Sequence, residues 1–131
     1  MCQSSRVSHP NDDNLIQSTC NKTPHPNLCL QTLNSNPNSK TTDVKGLALI
    51  MVDSIKSKSN NTLNKVVQLI IGTDDDKIRF ALFTCRDSYT GILMGDVPQA
   101  TQALKSGNPS YAEEATFDSI SQANFCDSIQ W

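Results

Sequence analysis

KSGNPSYAEEA, residues 105 to 115, closes one helix and opens another. Gly107 suits the left-handed position just past a helix end, where a residue with a Cβ is strained. Asn108 suits an N-cap, and Pro109 suits the first helical position, whose N–H has no intrahelical partner to lose. Glu113 and Glu114 put negative charge near the positive end of the new helix. The stretch therefore predicts a helical hairpin. Tyr111 stands on the rim of the turn beside Pro109 and Ser110, an aromatic that a bare connection does not need.

Helical period appears on both sides of this turn. From Asp43 to Ile71, Val44, Leu47, Met51, Ile55, Leu63, Val66 and Ile70 recur at steps of three or four, with Asp43 as N-cap. Ser57 to Thr62 (SKSNNT) interrupts this stripe and predicts a kink. Gly72 ends the segment, and the cluster from Thr73 to Asp76 opens a second helix with Ile78, Leu82, Cys85, Tyr89 and Ile92 on one face. Gly95 to Pro98 predicts a bend, because Pro98 removes a backbone donor. The second helix resumes through Ala100, Ala103 and Leu104. A third runs from Asn108 to about Ile129, with Ala112, Ala115, Ser119, Ala123 and Cys126 inward. No strand pattern and no internal repeat competes. The fold class is all-α, an up-down helical bundle with short antiparallel connections.

Composition narrows the function classes. The chain has 131 residues, enough for one domain, and residues 1–13 form a polar stretch read as a disordered tail. With 37% hydrophobic and 5% aromatic residues, the core has to be built from aliphatic side chains. A net charge of -2 without a basic run argues against nucleic acid and anionic membranes as partners. The longest apolar run, Leu47 to Val52, is too short to span a bilayer. No apolar signal-peptide core is visible in the first residues.

Five cysteines and two histidines fit no common zinc spacing, and a disulfide framework in an oxidising compartment is the better reading. Spacing alone leaves fifteen two-bridge patterns open. The hairpin chooses among them. Cys85 and Cys126 lie equally far from the turn, about twenty residues or about 30 Å along each helix, so they meet side by side. Such a bridge stabilises by roughly 4 kcal/mol in the chain-entropy treatment. Cys20 and Cys29 then pair locally across CNKTPHPNLC, worth roughly 3 kcal/mol on the same basis. Cys2 is left over in the tail.

These residues carry a resemblance. NLIQSTCNKTPHPNLCLQTL (14–33), DVKGLALIMVDSIKSK (43–58), FTCRDSY (83–89), VPQATQALKSGNPSYAEEA (97–115) and ANFCDSI (123–129) are together similar to the plant invertase inhibitor and pectin methylesterase inhibitor family. The resemblance implies a four-helix bundle preceded by a small helical hairpin, here residues 14–40, with the bundle helices in 43–131 of a single inhibitor domain, 14–131. It implies that the first two framework cysteines staple the hairpin and the last two join neighbouring helices. It also implies a secreted protein of the apoplast, cell wall or vacuole, with no catalytic activity and no cofactor, that covers the active site of a carbohydrate-processing enzyme. The family's fourth bundle helix has no counterpart before Trp131. The expectation is that apolar surface on the other helices lies open, as a truncation or as a face for a second copy.

The 47–58 helix and the turn lie closer to the invertase-inhibitor branch, whose turn commonly carries Pro-Lys-Phe. Pro109, Ser110 and Tyr111 occupy those positions, and they are the expected target-binding residues. Ser110 departs from the pattern, since a hydroxyl makes a weaker contact to carboxylates than an ammonium does. Tyr111 keeps the ring and adds a hydroxyl. The expected target is acid invertase (β-fructofuranosidase), blocked non-covalently. Inhibition of pectin methylesterase is the alternative, and an inactive truncated or structural bundle protein is a further one.

Other features read more plainly. Asp74, Asp75 and Asp76 are an acidic helix start rather than a calcium loop, whose further oxygen ligands are missing. Asn60 and Asn21 head N-glycosylation sequons. His25 is a loop histidine, and Asp87, Asp96 and Asp118 come with no nucleophile or histidine that would make a catalytic set.

Overall fold

The computed structural model describes residues 14–128. The expected tail at 1–13, Cys2 and the last residues of the chain lie outside the described residues. Backbone contacts divide the chain into two compact units, Met1–Ser54 and Ile55–Trp131. All regular elements among the described residues are helical.

In the first unit, helix α1 covers 14–21 and α2 covers Pro26–Asn34. α1 stops where Thr23 turns back, its N–H and Oγ1 both donating to the Cys20 carbonyl at 3.0 and 2.7 Å. Pro26 then occupies the first turn of α2, where its missing donor costs nothing. A 3-10 turn, Pro37–Thr41, follows; Asn36 Oδ1 accepts from the Asn38 N–H at 2.9 Å and initiates it. Ile16, Cys20, Cys29, Leu33 and Leu47 form a buried cluster, with Leu15, Leu30, Ile50 and Met51 packed around it.

Helix α3, Val44–Gly72, begins in this unit. Asp43 caps it: Oδ1 accepts from the Gly46 N–H at 2.9 Å. Glycine is required at 46 because a Cβ there would lie 1.6 Å from Thr42 Oγ1. Val44, expected on the inward stripe, is 55% exposed, since it belongs to the first turn before the helix reaches the core. Ser57–Thr62, where a kink is expected, stays helical. The helix is continuous for 29 residues, and Ser59, in the middle of the polar stretch, is buried. Hydroxyls occupy the inward stripe there in place of aliphatic side chains.

The second unit holds the rest of α3, α4 (Asp76–Gly91), a π-helical turn (Ile92–Asp96), α5 (Val97–Lys105) and α6 (Pro109–Asp127). Asp75 caps α4, Oδ1 accepting from the N–H groups of Lys77 and Ile78 at 2.9 and 3.2 Å. Val66, Leu82, Cys85 and Cys126 make its buried cluster, flanked by Ile70 and Tyr89. Ile78, expected on the same face, is 38% exposed, at the first turn of the helix. The bend expected at Gly95–Pro98 takes the form of the π turn, and Pro98 falls in the first turn of α5, where it needs no backbone partner. α5 packs against α6 through small buried residues, Ala100 and Ala103 on one and Ala112 and Ala115 on the other, which lets the two backbones approach closely.

Candidate functional site

The α5–α6 turn is built by backbone bonds. The Gly107 N–H donates to the Leu104 carbonyl at 3.2 Å and the Asn108 N–H to the Ala103 carbonyl at 2.8 Å. This pair of bonds satisfies the last carbonyls of α5 and needs the left-handed residue that Gly107, at φ 77°, supplies. Asn108 occupies the N-cap position of α6, but its side chain makes no capping hydrogen bond, contrary to the expectation. Its backbone is committed to both helices instead: the N–H closes α5, and the carbonyl accepts from the Tyr111 N–H at 3.2 Å.

Pro109, Ser110 and Tyr111 therefore follow one another on the first turn of α6, all exposed, with Tyr111 at 55%. Glu113 and Glu114 are exposed just behind them. The tip presents one aromatic ring and two hydroxyls on a backbone fixed by the turn and by Pro109. It can stack on and hydrogen-bond to a polar pocket while losing little conformational entropy.

Two disulfides brace the chain. Cys20 is bonded to Cys29 with their Cα atoms 5.4 Å apart, and Cys85 to Cys126 at 4.8 Å. The second ties α4 to α6 across 41 residues of sequence, with both cysteines buried. Asn60 is exposed on α3, and Asn21 is exposed at the end of α1, its Oδ1 accepting from Gln17 Nε2 at 3.3 Å. Asp75 is engaged in capping, and among the described residues no group of three His, Cys, Asp or Glu side chains is placed to hold a metal ion. No described helix is long and apolar enough to cross a membrane.

The second unit has two further features. A groove of about 240 Å³ lies between α3, the π turn and α6, floored by Ile55, Ile92, Ile120 and Ala123 and edged by hydroxyls such as Ser59 and Thr116. Tyr89 lines it too; burial first, and then Asp127, push its phenol above the ordinary range. Beside the groove, Asp96 is buried at 7% exposure, and Ser119 Oγ donates to its Oδ2 at 3.2 Å. Burial, then the hydrogen bond and charge of Asp118, push the Asp96 carboxyl up to about 6. One signal could have found this pair: Asp96 and Asp118 stand equally far from Gly107, eleven residues on either side.

The family profile described as plant invertase/pectin methylesterase inhibitor matches residues 14–127. The chain is 36% identical over 115 residues to a cell wall / vacuolar inhibitor of fructosidase from Arabidopsis thaliana, covering 88% of this chain and 55% of that protein. It is 33% identical over 105 residues to a pectinesterase inhibitor of Actinidia deliciosa, covering 80% and 56%. A crystal structure of a mutant form of an Arabidopsis pectin methylesterase inhibitor superimposes with a TM-score of 0.73 at 26% identity, covering 85% of this chain and 72% of that one. The chain spans about half the length of the curated relatives it matches.

Proposed function

The chain belongs to the plant invertase/pectin methylesterase inhibitor family, and from that premise we propose that it is a protein inhibitor of a plant acid invertase. The observation that carries the reading is the exposed tip at Pro109, Ser110 and Tyr111, on a turn whose backbone is fixed by its own hydrogen bonds. It acts by non-covalent occlusion. The tip enters the active-site cleft, the Tyr111 ring packs against the wall of a sugar-shaped pocket, and the Ser110 and Tyr111 hydroxyls bond to groups that would otherwise hold substrate. Flanking helix surface sets the orientation. No step requires a cofactor or a bond-making residue on this chain. The relative named as a cell wall / vacuolar inhibitor of fructosidase supports both the target class and a secreted location, in the cell wall or vacuole.

A pectin methylesterase is the second candidate target, favoured by the pectinesterase inhibitor relative and by the solved inhibitor structure. That reading places binding on the helix faces and leaves the tip with little to do. A parallel titration of the oxidised protein against an acid invertase and a pectin methylesterase, at the acidic pH of the cell wall, separates the two. The proposal expects inhibition of the invertase; inhibition of the esterase alone would overturn it.

A further inference from the structure

We propose that Asp96 and Asp118 form a proton-sharing clasp that closes the α5–α6 hairpin in acid and loosens it toward neutral pH. The placement comes first. Asp96 is the last residue of the π turn that feeds α5, and Asp118 lies on α6 at the matching distance beyond the tip. The π turn packs against α4, α5 and α6 alike. A carboxyl group here joins the two limbs of the hairpin whose tip carries Pro109, Ser110 and Tyr111.

Among the described residues, no cation forms an ion pair with Asp96 or Asp118. On α6, Asp96 meets Asp118 and the Ser119 hydroxyl. On α4, Tyr89 lines the neighbouring groove, while Arg86 and Asp87 form an exposed ion pair with each other at 3.2 Å. α5 carries one charged residue, Lys105, at its far end. Lys58 of α3 lines the same groove as Ile92 and Ser119. Among all these groups the charge acting on Asp96 is that of Asp118, and it has the same sign.

Two adjacent carboxylates repel, and one of them is buried; adding one proton converts the repulsion into a hydrogen bond. The Asp96 carboxyl O–H donates to an Asp118 oxygen, while Ser119 Oγ–H is shared between Asp96 Oδ2 and the Ala115 carbonyl, at 3.2 and 3.1 Å. Loss of that proton removes the donor between the limbs and leaves a buried anion facing the shared Ser119 hydroxyl. The folded chain holds the proton up to about pH 6, whereas an unfolded aspartate releases it near pH 4. Between those values the folded state binds more protons, so stability falls as pH rises through the window and levels off above it.

The test uses the whole oxidised chain and reads the clasp without any target enzyme, so its failure is distinct from failure of the proposed function. The Asp96 carboxyl carbon, followed by NMR, should titrate near pH 6 in the wild type and move toward the ordinary carboxylate range in Asp118→Ala. In Asp96→Asn, an amide N–H takes the place of the proton permanently. The unfolding equilibrium constant of the wild type, relative to this variant, should therefore rise about 100-fold between pH 4 and pH 7. A wild-type titration near pH 4, a midpoint unmoved by Asp118→Ala, or parallel stability profiles for wild type and Asp96→Asn would each overturn the clasp. Should Asp96→Asn fail to fold, the two titrations decide alone.

Discussion

Removing the Cys85–Cys126 bridge should cost this chain much of its stability. The bridge closes a segment with a sequence separation of 41, and in the chain-entropy treatment a loop of that size is worth about 4 kcal/mol. Both sulfurs also belong to the buried cluster with Val66 and Leu82, so replacing them with alanine loses about 1 kcal/mol of packing at each site. The double variant Cys85→Ala/Cys126→Ala is expected to lose about 6 kcal/mol in urea unfolding followed by far-UV ellipticity. With a slope of about 2 kcal/mol per molar, the midpoint moves by about 3 M. The Cys20–Cys29 bridge closes a separation of only 9, and removing it should cost about 3 kcal/mol in loop entropy. Two equal losses, or a loss below about 1 kcal/mol for the long bridge, would refute the assignment of the α4–α6 tie as the main covalent brace.

Asp75→Ala removes the acceptor of the Lys77 and Ile78 N–H groups and should destabilise by about 1 kcal/mol in the same assay; no change would mean that water caps α4 equally well. Gly107→Ala forces a Cβ into φ 77° and should cost about 1 kcal/mol, read as a fall of about 4 °C in Tm. Ser110→Lys puts an ammonium at the tip, where a carboxylate-lined pocket would reward it by about 1.5 kcal/mol or more; inhibition of acid invertase should tighten at least about tenfold. Unchanged inhibition by Ser110→Lys would mean that position 110 does not face the catalytic carboxylates.

The parts of this fold that follow from local chemistry could be read directly. The α5–α6 turn is specified by one glycine, one proline and the period of the flanking residues, and folding back at that turn places Cys85 beside Cys126. Asp43 and Asp75 both cap the helices they precede. What could not be read depends on neighbours distant in sequence. Ser57 to Thr62 looks like a break in a helix, yet the stretch stays helical, and Ser59 and Thr62 line a groove that α6 and the π turn complete. Gly95 and Pro98 announce an irregularity without saying whether it is a kink or a π turn. Asp96 and Asp118 read in the sequence only as carboxylates without a catalytic set, because burial of Asp96 is a property of three packed elements and not of its own stretch. Asn108 shows the converse case: a good capping residue whose side chain is idle, since the backbone already meets the turn's needs.

The most direct test is inhibition of an acid invertase by the oxidised wild type and by Tyr111→Ala, at equal protein concentration and acidic pH. Tyr111 is 55% exposed, so the substitution should leave the urea midpoint in place. If the tip is the part that enters the active site, wild type inhibits and Tyr111→Ala weakens inhibition about 30-fold or more, as loss of an aromatic anchor worth about 2 kcal/mol requires. Equal inhibition by both proteins, or none by a well-folded wild type, would contradict it.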